Sequence, residues 1–322
     1  MTQTLPERKV GPLTVSALGL GCMGMAMVYG RPDPVRARAA IARALDLGVT
    51  LFDTADMYGR GASERLVGHA LRGRRDEVVL ASKVGILSWP VVGIPRGVSG
   101  RPNYIRRSLE GSLRRLGTDY LDLYYLHRVD PDVPIEESIG AMSDLVAAGK
   151  VRELGVSEVT ADELRRAYAV HPIAAVQSEW SLFSRELEAE VVPAARALGV
   201  GIVAYSPLGR GMLSGAASAT TRLSLFDYRR MLPRWQSDNL ASNLRAVETV
   251  ADIATDRQAT PAQVALSWLL AQGDDVVPIP GTKRPGYVEE NIGALQVTLT
   301  DDDMARLDRL VAAGDRYPTN SP

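Results

Sequence analysis

Cysteine and histidine are scarce in this chain: Cys22 is the sole thiol, and His69, His127 and His171 are the only imidazoles. One thiol excludes an internal disulfide framework, and so few scattered ligands leave little for a metal site such as zinc. Net charge is also nearly absent, with 37 basic against 38 acidic side chains and a pI near 6.4. That balance argues against a broad phosphate-binding surface, so no nucleic-acid partner is expected. No apolar stretch is long enough to span a bilayer, and the opening residues from Met1 to Lys9 carry no apolar signal core. The expectation is a soluble chain without membrane attachment in a reducing, cytoplasmic setting, a monomer by default.

What the chain does have is apolar content arranged with a rhythm. The 322 residues, 46% of them hydrophobic, supply the core of one large domain covering 1–322. Apolar runs end at Gly21, Asp53, Lys83, His127, Ser157, Gln177, Tyr205 and Pro280, and helical periodicity fills most of the gaps. Helix starts are punctuated by Asp33-Pro34, by Thr160 with Glu163 and by Thr260-Pro261. Gly48, Gly117, Gly149 and Gly199 stand where helices should stop. Eight strand-helix units with no strand-only block predict a parallel sheet closed into a (β/α)8 TIM barrel. Arg8-Lys9-Val10 and Leu13-Thr14-Val15 flank Gly11-Pro12 and predict an N-terminal β-hairpin plugging one end. The long connections 84–103 and 209–240 break the rhythm and are expected to be lids at the active-site end.

Chemistry concentrates in Phe52-Asp53-Thr54-Ala55-Asp56-Met57-Tyr58-Gly59, which sets a carboxylate and a phenol just after a strand. Lys83 and His127 close two other strands, whose ends converge in a barrel. A phenol with an unperturbed pKa of about 10 releases its proton poorly near neutrality unless a cation stabilises the phenolate. Lys83 can be that cation, Asp53 would hold it charged and in place, and His127 would align a substrate oxygen with the Tyr58 hydroxyl. Tyr58 would then be the general acid, and the set suggests a carbonyl reductase.

From Gly19-Leu20-Gly21-Cys22-Met23-Gly24 to Glu289-Glu290-Asn291 the sequence resembles the aldo-keto reductase family. The family's tetrad of Asp, Tyr, Lys and His falls on Asp53, Tyr58, Lys83 and His127 without substitution. The resemblance implies hydride transfer from a reduced nicotinamide to a small-molecule aldehyde or ketone. It also implies a cofactor site, to which Asp53 contributes. Ser157 and Gln177 would hold the carboxamide, with Glu158 where Asn is often found. Trp180 stands where relatives place an aromatic under the nicotinamide and is expected to stack there.

The run Tyr205-Ser206-Pro207-Leu208-Gly209-Arg210-Gly211 resembles the pyrophosphate segment, with Ser206, Leu208 and Arg210 as contacts. Gly281, Thr282, Lys283, Glu290 and Asn291 match the adenosine-phosphate site, with Gly281 in place of a Lys and Tyr287 in place of an Arg found in some relatives. Two adjacent cations, Lys283 and Arg284, and the Thr282 hydroxyl near a helix start favour a 2′-phosphate, so NADPH (NADP) is the expected cofactor. The long loop after strand seven is expected to fold over it as a belt.

Gly19, Gly21 and Gly24 also fit a G-x-G-x-x-G dinucleotide fingerprint, but the next capped helix starts near Pro34 rather than at the glycines. They are read instead as a tight loop on the floor of the substrate pocket. The pocket wall is expected from Met23, Tyr29, Tyr58, Trp89 and His127, with Phe226 and Trp235 as further aromatics. His69, His171 and Cys22 receive no catalytic role. Two other readings stay open: a slow nucleotide-sensing subunit of the same family, like those accompanying potassium channels, and a barrel lyase or epimerase.

Overall fold

The computed structural model describes residues 4–88, 95–215, 223 and 227–318. The chain opens with a hairpin, β1 (Glu7–Val10) paired antiparallel with β2 (Leu13–Ser16). Eight parallel strands follow in one sheet, interrupted once by a second small hairpin. In chain order they are β3 (Leu20–Gly21), β4 (Leu51–Asp53) and β5 (Val79–Val84), then the hairpin β6 (Ile86–Ser88) and β7 (Pro95–Val98). The sheet resumes with β8 (Leu121–Leu126), β9 (Val151–Ser157), β10 (Ile173–Glu179), β11 (Gly201–Tyr205) and β12 (Val276–Pro278).

Strand order matches sequence order around the sheet, and its two ends meet: Gly21 bridges Gly281 in parallel, and the Gly19 amide donates to the Pro278 carbonyl at 2.9 Å. The expected (β/α)8 barrel is therefore closed, and the eight strand ends lie within two residues of those read from the sequence.

Closure explains two of the three glycines. A Cβ on Gly21 would lie 2.8 Å from the Ile279 carbonyl oxygen, and one on Gly19 would lie 2.9 Å from Ile279 Cγ2. They let the first and last strands approach, rather than forming a pocket floor. One helical turn, α1 (Met23–Ala26), does start there without a side-chain cap, a detail the sequence reading lacked. The first long helix is α2 (Pro34–Asp46), with Asp33 accepting from the Arg36 amide as expected.

The other helices between and after the barrel strands are α3 (Ala62–Ala70), α4 (Pro102–Leu116), α5 (Ile135–Ala147), α6 (Ala161–Val170), α7 (Val191–Leu198), α8 (Ser237–Asp256), α9 (Pro261–Leu270), α10 (Pro285–Gly293) and α11 (Asp301–Asp308). Thr160 and Thr260 each start a helix with a full capping box, and Gly117 and Gly199 end two others. No helix among the described residues is long and apolar enough to cross a membrane.

Strand alternation sorts the apolar residues into two cores. Leu51, Ala81, Leu123, Val203 and Val277 fill the barrel interior, with Val10 and Val15 of the hairpin plugging its base. The alternate residues, such as Phe52, Leu80, Tyr124, Val176 and Ile202, face the helices. The barrel is a packed core, and chemistry is left to the rim at the strands' C-terminal ends.

Candidate active site

Three strand ends and one turn assemble the four expected residues. Asp53 closes β4, Lys83 is next to last in β5, and His127 follows β8 with its amide on the Val84 carbonyl at 2.7 Å. Tyr58 lies in the turn between β4 and α3, where its amide donates to the Ala55 carbonyl and its carbonyl accepts from Ser63. Gly59, Arg60 and Gly61 then take φ of 55°, 56° and 76° in succession, and glycine at two of the three makes that sharp return cheap. The Tyr58 and His127 rings meet edge to face at 5.8 Å and 83°.

Lys83 is fully buried. Its ammonium donates to Asp53 Oδ1 and to the Thr54 carbonyl at 2.8 Å, and it sits 5.0 Å from the Tyr58 ring centre. The second Asp53 oxygen accepts from Gln177 Nε2 at 2.8 Å, so both carboxylate oxygens are used. Burial opposes the charge on Lys83, but Asp53 and then Tyr58 outweigh it and hold the pKa above the usual lysine value. Burial pushes the Tyr58 hydroxyl up, with Lys83 the largest opposing influence, so the resting phenol keeps its proton. Burial, then Lys83 and Arg128, drive His127 well below the usual imidazole range, so it is neutral. Its Nδ1 is buried without a protein partner among the described residues. The arrangement is a neutral donor pair backed by one buried cation.

An apolar wall stands beside it. Met23, Met27 and Ile86 pack on Ala55, Met57 and Tyr58. Tyr29 lies over Gly24, where a Cβ would be 2.9 Å from Tyr29 Cδ2, and under the Arg229 guanidinium at 5.2 Å. Trp235 is buried, with the same Arg229 guanidinium 4.9 Å from its ring centre. Trp89 and Phe226 lie outside the described residues.

Across the rim, Ser157 and Gln177 are neighbours in register on β9 and β10. At the far end Thr282 Oγ1 accepts the Arg284 amide just before α10, while Asn291 is buried on that helix and Glu290 is half-buried. Lys283 donates to the carbonyls of Tyr29 at 3.0 Å and Arg31 at 2.8 Å. Neither Lys283 nor Arg284 has a carboxylate in ion-pair contact among the described residues, leaving two cations and a helix N-terminus for a phosphate.

Comparison with known proteins decides the lineage. The aldo/keto reductase family model matches residues 17–312. The chain belongs to the aldo/keto reductase family. It is 45% identical to the aldo-keto reductase yakc [NADP(+)] of Schizosaccharomyces pombe, over 98% of this chain and 95% of that protein. It is 47% identical to a probable aldo-keto reductase 1 of Glycine max, over 94% and 87%. Among solved structures, a glycerol dehydrogenase from Gluconobacter oxydans superposes with TM-score 0.85 at 31% identity, covering 94% and 93% of the two chains. An aldo/keto reductase from Klebsiella pneumoniae in complex with NADP and acetate has TM-score 0.73 at 31% identity, covering 99% and 98%.

Within this aldo/keto reductase, two sequence expectations change. Trp180 is 1% exposed, and its indole N–H donates to Glu188 at 2.9 Å. It falls on the helix-facing side of β10 with Val176, so it is a core residue and offers no open face to a nicotinamide. The half-exposed aromatic at that rim is Tyr205, which stands on the inward row of β11 above Val203. Arg210, expected at the pyrophosphate, is paired with Glu179 at 2.7 Å and nearly buried, while Ser206 and Leu208 stay half-exposed.

Arg128 was missed by sequence reasoning. Its Nη1 donates to the His127 carbonyl at 2.9 Å and lies 3.5 Å from Ser157 Oγ, bridging the tetrad and the β9 end. A cation directly after a strand-end histidine was the available signal. Cys22 is buried, and burial with the Asp53 charge pushes its thiol pKa up, which suits an inert thiol.

Proposed function

We propose that this chain reduces an aldehyde or ketone to an alcohol, with Tyr58 as general acid and NADPH as the hydride donor. The observation that carries the reading is the buried Lys83–Asp53 pair set against the Tyr58–His127 ring pair at the barrel rim. A protonated phenol is the required starting state, because the acid must give a proton to the carbonyl oxygen. Lys83, kept charged by Asp53, stabilises the phenolate that remains. Neutral His127 can hydrogen-bond the same oxygen without adding charge and so fixes the carbonyl's direction.

NADP is named for the yakc protein and for the Klebsiella structure, and this chain's residues fit the same cofactor. Thr282, Lys283 and Arg284 before α10 suit a phosphate on the ribose, with Asn291 and Glu290 beside the adenosine. Gly281 is held by barrel closure and lends backbone only. Ser206 and Leu208 suit the pyrophosphate, and Ser157, Gln177 and the Tyr205 ring suit the nicotinamide. Bound there, NADPH supplies the hydride. Met23, Met27 and Met57 make a soft apolar wall that adapts to varied carbonyl compounds, and Tyr29 adds an aromatic edge.

The test is Tyr58→Phe with a panel of aldehydes and ketones, following NADPH oxidation. Turnover should fall about 10²–10⁴-fold, the size of losing a positioned acid, with NADPH affinity nearly unchanged. Equal turnover in the variant refutes the role of Tyr58. Tight NADPH binding with negligible turnover in the unaltered protein would favour the nucleotide sensor.

A further inference from the structure

The last described residues do not trail into solvent. Ala313 exchanges two hydrogen bonds with the Asn243 side chain, at 2.7 and 3.0 Å, and the Gly314 carbonyl accepts from Arg234 Nε at 3.1 Å. Arg316 Nη2 donates to Glu158 Oε2 at 2.8 Å. The Tyr317 hydroxyl lies 2.9 Å from that of Tyr205. The Tyr317 ring sits 4.6 Å from the Arg210 guanidinium and 5.4 Å from that of Arg316. Segment 313–317 is thus stitched to α8, to the turn before it, and to the ends of β9 and β11.

Those strand ends are where the nicotinamide is read. Glu158 directly follows Ser157, in a left-handed conformation with φ of 52°. One of its oxygens accepts the Glu179 amide at 2.8 Å and the other takes Arg316, so its carboxylate is turned to the tail rather than to a carboxamide. Burial alone would raise the Glu158 pKa, but Arg316 and then Arg128 hold it below the usual carboxylate value, so the anchor is ionised. Tyr205 caps the inward row of β11, packed on the barrel interior and half-exposed above. Its hydroxyl also interacts with Arg128, so Tyr317 is the second of two restraints on the phenol, and preorganisation of such a surface is worth affinity.

We infer that Tyr317 is a positioning residue that fixes the Tyr205 ring at the nicotinamide end, and that Glu158, through Arg316, anchors the tail that carries Tyr317. The inference rests on the NADPH reading above and adds to it a role for residues more than 100 positions from Tyr205 in sequence.

Binding measurements on the full chain test it with two ligands: NADPH, and adenosine 2′,5′-bisphosphate, which lacks the nicotinamide. Tyr317→Phe removes one hydroxyl and keeps the ring. It should weaken NADPH about three- to tenfold, an effect of the size of one neutral hydrogen bond, while leaving the bisphosphate affinity unchanged and lowering the thermal midpoint by no more than about 2 °C. Arg316→Gln and Glu158→Gln should each weaken NADPH, and the double variant should be no worse than the weaker single, because both act through one contact. Equal weakening of both ligands would mean a merely structural tail and overturns the inference. So does unchanged NADPH affinity in Tyr317→Phe, or additive losses in the double variant. If the unaltered protein binds neither ligand, the NADPH reading itself fails and takes this inference with it.

Discussion

Asp53→Asn changes one atom type at the centre of the site, and its consequences can be worked through. Asp53 accepts from Lys83 on one oxygen and from Gln177 on the other. An asparagine offers one acceptor and one NH2; Gln177 can turn its own amide to accept from that NH2, but Lys83 is left with a neutral acceptor in place of a carboxylate. Lys83 is fully buried and keeps its proton because Asp53 outweighs burial. Without that carboxylate, burial dominates and the lysine pKa falls below its usual value. The unfolded chain then binds the proton more strongly than the native one, so the variant loses stability as pH falls through the unfolded lysine value.

Breaking one partner of a buried pair costs about 3–5 kcal/mol. With an unfolding entropy of about 2.1 cal/mol/K per residue over 322 residues, that is about 4–7 °C in thermal midpoint. Calorimetry at neutral pH reads the loss, and urea titration checks it. Adding Lys83→Met removes the stranded group, and the double variant should regain part of the stability while remaining inactive. A single variant within 1 kcal/mol of the parent, about the value of a surface pair, would refute the claim that Lys83 depends on Asp53.

Lys283→Ala should weaken NADPH far more than NADH, about tenfold or more, as expected for losing a charged hydrogen bond to a 2′-phosphate; equal losses in calorimetric titrations of both would contradict that assignment. Asp56 is half-buried with its Oδ1 sealed from solvent, and that burial, then the charge of Glu64, pushes its carboxyl up to about 8, with Arg115 opposing. Because the native state holds this proton more tightly, its contribution to stability is present below about pH 4 and is lost as pH rises towards 8. Asp56→Asn should flatten that slope in denaturant titrations run across the window, and identical slopes for both proteins would count against the neutral carboxyl.

Much of the fold and the tetrad was legible in the sequence because the signals were local. Asp33, Thr160 and Thr260 cap helices through bonds to residues three positions on, and strand runs ending in Asp53, Lys83 and His127 carry their own apolar pattern. Once eight such runs close a barrel, their ends must share one rim, so the convergence of Asp53, Lys83 and His127 followed from their places at strand ends. The cofactor end was less legible. Trp180 and Tyr205 are both aromatics near strand ends, and only the alternation of the folded strands sends one to the helices and the other over the barrel mouth.

Composition and periodicity determined by themselves that this is a (β/α)8 barrel, and the strand-end positions of Asp53, Lys83 and His127, with Tyr58 close behind, put those four residues on one rim. The tertiary structure alone decided that Glu158 faces Arg316, that Lys283 holds the carbonyls of Tyr29 and Arg31, and that Tyr317 meets Tyr205. Each of those contacts joins residues more than 100 positions apart, where no local pattern reaches. Their pairing depends on which loop the closed barrel brings over which strand end.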